Sequence, residues 1–158
     1  MNGDQITEPL PEITLRPIGR VSNAIKDRSA VNWDEWEGVE SELIIAPDLA
    51  AGLDGLEGFS HIVVIFWMHR SPPFSPSRLK VHPRGDEDIP LTGVFATRSP
   101  VRPNSLGMTT VRLLERKRNV LRVKGLDALD GSPIIDIKPY LPHDDSPDYI
   151  GVKLADWL

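Results

Sequence analysis

Ile62-Val-Val-Ile-Phe-Trp-Met68 is the stretch that decides how this chain folds. Seven apolar residues in a row, rich in β-branched and aromatic types, fit a strand covered on both faces and fall far short of the roughly 20 needed to cross a bilayer. Ser60-His61 and His69-Arg70 flank the run, so polar groups stand at both of its ends. Ser60 and His61 read as a hydrogen bond at the strand start, not as a nucleophile and its base.

On the N-terminal side, Ile13 to Val21 and Glu42 to Ala46 read as strands separated by a loop that carries Trp33 and Trp36. Asp48 to Phe59 reads as a short helix and turn, with Asp48 able to cap it. On the C-terminal side, Ser71 to Pro90 is a long polar, Pro-rich surface loop of the kind that is often functional. Gly93 to Thr97 follows as a strand, and Thr109 to Leu114 pairs with Val120 to Lys124 as a hairpin across Glu115 to Asn119. In the last strand, Ile134 to Tyr140, Asp136, Lys138 and Tyr140 share one face by period-two alternation. About seven short strands, punctuated by 15 Pro and 12 Gly and with little helical periodicity, predict a mostly β fold. The expected architecture is a compact antiparallel β-barrel, closed or nearly so, with few short helices. A chain of 158 residues is one ordinary domain, here a barrel over 12–158 behind a short disordered arm at 1–11.

Hydrophobic residues at 40% and charged residues at 26% exclude wholesale disorder. The absence of cysteine excludes disulfides, thiolate zinc sites and Cys nucleophiles. His61, His69, His82 and His143, with Asp86, Glu87 and Asp88, match no recognised ligand spacing, so no metal is expected. The N-terminus lacks a signal pattern, which points to a soluble, cytoplasmic protein with no membrane partner. Gly52 to Gly58 precedes the long strand and lacks the dinucleotide fingerprint, which argues against a Rossmann fold; no phosphate loop, nucleophile elbow or paired-His helix is present either.

Charge is unevenly placed. Residues 1–60 hold four Lys/Arg against twelve Asp/Glu, whereas residues 98–124 hold eight Lys/Arg against Glu115 alone, within a net charge of −5. The basic segment is either a polyanion footprint or a solvated hairpin whose charges keep an edge from aggregating.

Three longer strings carry more specific information. They are Gly58-Phe-Ser-His61, Gly93-Val-Phe-Ala-Thr-Arg-Ser-Pro100 with Arg102-Pro-Asn104 and Gly107, and Gly125-Leu-Asp-Ala-Leu-Asp-Gly-Ser-Pro133 with Asp136-Ile-Lys-Pro-Tyr140. Together they resemble the TsaA/TrmO-like (YaeB-like) family, from about Ile18 to Asp145. The resemblance implies a non-Rossmann β-barrel, a homodimer with the cofactor near the subunit interface, and S-adenosylmethionine as methyl donor. It also implies tRNA as partner, the acceptor being N6 of threonylcarbamoyladenosine beside the anticodon. Larger bacterial relatives carry a further C-terminal domain.

Matched motif by motif, the donor is expected at His69 and Arg70, at Arg98, at Met108, and at Asp130, Gly131, Ser132 and Pro133. An arginine suits the donor carboxylate, and a Gly-containing turn lets backbone groups approach its adenine and ribose. Asp130 or Asp127 could stand near the cationic sulfonium. Arg102 and Asn104 are expected at the substrate, Arg116, Lys117 and Arg118 at the tRNA backbone, and Asp136 or Tyr140 as the group that takes the acceptor proton. The Pro-x-Gln segment that many relatives carry after the first strand has no counterpart in Ile25 to Gly38; Trp33 or Trp36 could stack there or simply anchor the loop. A small-molecule methyltransferase and a non-catalytic S-adenosylmethionine-binding protein are the alternatives.

Overall fold

In a computed structural model, which describes residues 8–32, 34–145 and 152–157, the strands are β1 (Gly19–Ser22), β2 (Glu40–Ile45), β3 (His61–Trp67), β4 (Lys80–Val81), β5 (Thr92–Gly93), β6 (Leu106–Lys117), β7 (Val120–Lys124) and β8 (Pro133–Pro139), followed by a single helical turn, α1 (Pro142–Asp145). Six of them close into an antiparallel barrel in the order β1-β2-β7-β6-β3-β8, while β4 and β5 form a separate two-stranded sheet. The apolar run is the most heavily paired strand, matched residue for residue with β6 from His61–Arg112 to Trp67–Leu106 and flanked on its other side by β8. Its alternation sends Ile62, Val64 and Phe66 inward, where they meet Val21, Leu43, Ile45, Val111, Leu121, Val123 and Ile134. Val63, on the opposite face, is also buried, so an unbroken apolar run was required.

Antiparallel closure sorts the connections into two ends. Segments 23–32, 34–39, 68–105 and 125–132 connect at one end, called the mouth; segments 46–60 and 118–119, with Ile18 ahead of β1 and Tyr140 after β8, lie at the other. The 125–132 segment must cross the mouth, because β7 and β8 are not neighbours, and its Leu126 and Ala128 are buried as the plug. Gly107 sits where β6 passes over Phe66; a Cβ there would stand 2.3 Å from the ring, so any larger residue would have to displace the Phe66 side chain.

Several local expectations need correction. The first strand spans Gly19–Ser22 and not Ile13 to Val21, because a barrel strand extends only as far as its neighbours do. Ile18 makes the last bonds, donating to Ile134 O and accepting from Ala46 N, both at 2.8 Å. Residues 8–17 are exposed and carry no strand. The segment Gly93 to Thr97 is a 3-10 turn over Val94–Ala96 with a strand only at Thr92–Gly93, since Thr97 N and Oγ1 both return to Val94 O, at 3.2 and 2.9 Å. Asp48 to Phe59 forms two 3-10 pieces, Pro47–Leu53 and Leu56–Gly58, broken at Gly55 (φ 87°). Asp48 does not cap the first piece; it stands in the first turn behind Ala46, which offers no side-chain bond. The hairpin is longer and tighter than its sequence suggests, β6 running to Lys117 with Arg118 at φ 55° in the turn.

Candidate functional site

The end of β3 and the end of the β7–β8 crossover meet at the mouth. Ser132, 2% exposed, shares a hydrogen bond of 3.2 Å with His69 Nδ1, and so joins the Asp130–Pro133 turn to His69 and Arg70 across the top of the barrel. Gly131 takes φ 77°, and the position its Cβ would occupy is open, so a ligand can lie against the backbone there. Its N–H donates to Val21 O at 2.9 Å, and Val21 N donates to Ser132 O at 2.9 Å, which fixes the turn to β1.

Asp130 is the charged centre of this corner. Its Oδ1 accepts from Asn23 N at 3.0 Å and its Oδ2 from Lys26 Nζ. Those contacts, the Lys26 bond first and the Asn23 amide second, hold its carboxyl below the usual range, so it is anionic at neutral pH. His69 is pushed the other way: desolvation against the corner and the neighbouring Arg70 lower its pKa, with Asp130 opposing them, and the imidazole is neutral at pH 7. The corner therefore offers an anion, a neutral ring and an adjacent arginine.

Asn23 and Lys26 were not among the residues expected from sequence. Asn23 is the hub: its Nδ2 donates to Ser41 Oγ and to Ala128 O, both at 2.9 Å, and its Oδ1 accepts from Ile25 N at 2.9 Å. An Asn directly after a short strand is a turn signal, yet nothing local announces that it reaches residues more than a hundred positions away.

The other candidates scatter. Arg98 is exposed at the mouth, in the segment that returns to β6, and has no hydrogen bond or ion pair among the described residues. Arg102 spends its Nη2 on the carbonyls of Val94 and Thr97, both at 3.1 Å, and braces the turn ahead of Arg98. Asn104 accepts from Leu106 N through its backbone oxygen at 2.7 Å, while its side chain is exposed.

Met108, 60% exposed, points out of the barrel beside Ile65, which in turn faces Asp136. Asp136 lies about 13 Å along β8 from Ser132 and pairs with Lys138 at 2.7 Å on the outer surface, not inside the barrel. Tyr140 is at the opposite end, edge-on to His61 with ring centroids 6.4 Å apart. Ser60 Oγ and His61 Nδ1 share the strand-start bond of 2.9 Å at that same end. Trp36 is buried as a loop anchor, whereas Trp33 lies outside the described residues.

The hairpin is also remote from the corner. Arg116 donates to Asp54, Glu57 and the carbonyls of Leu53, Ala50 and Arg118, and Lys117 pairs with Glu115 at 3.0 Å. The cleft at that end, about 220 Å³, is lined by Ile18, Ile45, Leu49, Leu53, Leu56 and Ile137 with Asp136 as its one charged side chain. No cation lines it to hold a carboxylate. Among the described residues there is no cluster of three metal-ligating side chains, and no helix is long and apolar enough to cross a membrane.

Residues 31–146 match the family model of the tRNA-methyltransferase O N-terminal domain. The chain is 48% identical over 136 residues to a probable S-adenosyl-L-methionine-binding protein of Methanothermobacter thermautotrophicus, covering 85% of this chain and 95% of that protein. It is 40% identical over 105 residues to a human tRNA (adenine(37)-N6)-methyltransferase, covering 66% of this chain and 23% of that one. A crystal structure of TrmO superposes with a TM-score of 0.71 at 32% identity, covering 86% of this chain and 61% of the other. A TrmO structure from Pseudomonas aeruginosa superposes with a TM-score of 0.72 at 28% identity, covering 94% and 63%. The solved chains are thus longer than this one, and the match lies in the barrel whose mouth has just been described. The chain belongs to the tRNA-methyltransferase O (TsaA/TrmO-like) family of S-adenosylmethionine-dependent methyltransferases.

Proposed function

We propose that the chain is an S-adenosylmethionine-dependent methyltransferase that holds its donor at the His69–Arg70 and Asp130–Pro133 corner and methylates N6 of threonylcarbamoyladenosine beside the tRNA anticodon. The single observation that carries the donor site is the corner itself: an ionised Asp130, a neutral His69 and an open glycine backbone, with Arg70 beside His69 and within the field of Asp27, and Arg98 without an ion pair among the described residues. S-adenosylmethionine, when bound, supplies an electrophilic methyl on a cationic sulfonium. Arg98 binds the donor carboxylate in a charge-assisted pair, and the Gly131 backbone takes the nucleoside end. Asp130 sets a negative potential that favours the cation; Lys26, bound to the same carboxylate, moderates it. Most of the rate comes from holding the acceptor nitrogen in line with the methyl.

Met108 does not reach this corner within one chain. It belongs to an outward row with Ile65, flanked by Leu106 and the partly exposed Trp67, and that apolar row fits a second copy. In such a homodimer Met108 joins the partner's donor site, and Asp136, its neighbour across Ile65, stands where the acceptor proton leaves. A tRNA substrate implies the cytoplasm. A second reading, a binding protein without turnover, draws on the name of a relative 43% identical over 132 residues, an S-adenosyl-L-methionine-binding protein of Archaeoglobus fulgidus.

Incubation with radiolabelled donor and bulk tRNA, prepared with and without the threonylcarbamoyl group, separates these readings. Label in the modified pool alone is the expected result. Donor binding without label in any RNA supports the binding protein and contradicts the enzyme.

A further inference from the structure

Residues 68–105 leave the mouth at the end of β3 and return to it at the start of β6, and they carry six Lys/Arg against three Asp/Glu, a balance of +3 in a chain of net charge −5. None of the six cations, Arg70, Arg78, Lys80, Arg84, Arg98 and Arg102, forms an ion pair among the described residues. The hairpin that looks most basic in sequence is partly neutralised, since Arg116 is matched by Asp54 and Glu57 while Lys117 and Arg122 share Glu115, which leaves Arg112, Arg118 and Lys124 without an ion pair among the described residues. A matched charge releases no counterion from a polyanion; an unmatched one does.

The same excursion displays Phe95, 78% exposed, on a turn that is held from every side. Val94, at the start of the turn, is buried and donates its N–H to Leu79 O at 3.0 Å; Thr97 closes the turn onto Val94 O, and Arg102 Nη2 donates to the carbonyls of Val94 and Thr97. A free phenyl ring on mobile backbone would fold down onto apolar neighbours. Here the hydrogen bonds of Val94, Thr97 and Arg102 fix the turn from which the ring projects into solvent.

We propose that the 68–105 excursion, and not the β6–β7 hairpin, is the RNA-binding surface. An unpaired base of the acceptor loop stacks on Phe95, and its backbone runs past Arg78, Lys80 and Arg84. Arg102 then positions the turn and does not itself read the substrate. The acidic Asp86-Glu-Asp88 stretch within the excursion bounds the track, because phosphates avoid it. This inference rests on the tRNA methyltransferase reading and adds the surface through which the substrate docks.

The test uses an anticodon stem-loop RNA carrying threonylcarbamoyladenosine, titrated over a range of salt concentrations. Replacing Arg78, Lys80 and Arg84 together by Gln is expected to lower the slope of log affinity against log salt by about 2, at roughly 0.7 per single-strand contact. Phe95→Ala is expected to weaken RNA binding by roughly 5- to 150-fold, as for loss of one stacked base, with Phe95→Trp restoring it. Donor affinity by calorimetry and the sedimentation coefficient stay at wild-type values in these variants. Two results overturn the proposal while leaving the methyltransferase reading intact: an unchanged slope in the triple variant together with a reduced one in Lys117→Gln, Arg118→Gln, Arg122→Gln, or a Phe95→Ala protein whose only change is in sedimentation. Wild-type protein that binds donor but neither binds nor methylates the RNA removes the tRNA reading, and the docking surface with it.

Discussion

At the scale of single residues, the corner depends on Asn23 more than on any residue that would touch a ligand. One side chain ties the β1 exit to β2 through Ser41, to the crossover through Ala128, and to its own loop through Ile25. Asn23→Ala is expected to cost about 3 kcal/mol in urea denaturation, at about 1 kcal/mol for each of three lost bonds. It should weaken donor binding as well, because the main-chain bond to Asp130 loses its fixed direction. Protonating Asp130 loosens the same corner. Its folded-state pKa is depressed, so its stabilisation is complete above the unfolded carboxylate value and is lost as the pH falls below it. Acid denaturation of Asp130→Asn should therefore show a shallower dependence below about pH 4 than wild type. The motif residues of this corner, His69 and Asp130 to Pro133, were legible because they sit in unbroken strings. Asn23 and Lys26 were not, because their role exists only once β1 and the crossover meet.

At the scale of elements, the strands were legible where two neighbours enforce them, and were misjudged where the stretch has no strand to pair with. β3, β7 and β8 stand close to where alternation and apolar runs put them. The stretch before Gly19 has strand-like residues, yet β2 ends at Ile45 and leaves nothing for residues earlier than Ile18 to pair with. Val94 to Ala96 has β-forming residues too, but side chains from Thr97 and Arg102 bend it into a turn, and no periodicity records that. Gly107 shows how tightly the elements fit. Gly107→Ala is expected to destabilise by about 1–3 kcal/mol through overpacking, and the penalty should shrink when Phe66→Leu is combined with it. Additive effects in that double-mutant cycle would mean that the ring and the glycine are not in contact.

At the scale of the whole molecule, antiparallel closure gives the barrel two chemically different ends. The mouth collects an ionised Asp130, a neutral His69, Arg98 and the unpaired cations of the excursion. The opposite end collects an apolar cleft and a hairpin whose Arg116 and Lys117 are already matched by carboxylates. Sequence order conceals that division, since Arg98 and Arg116 are 18 positions apart and fall within one basic segment, yet belong to opposite ends. The most direct test is to follow backbone amide signals of labelled protein during titration with S-adenosylmethionine. Large shifts are expected at His69, Arg70 and Asp130 to Ser132, with Leu53, Leu56, Lys117 and Arg118 unmoved. Shifts centred on Leu49 to Leu56 and Ile137 would place the donor in the opposite cleft and contradict the assignment of the mouth.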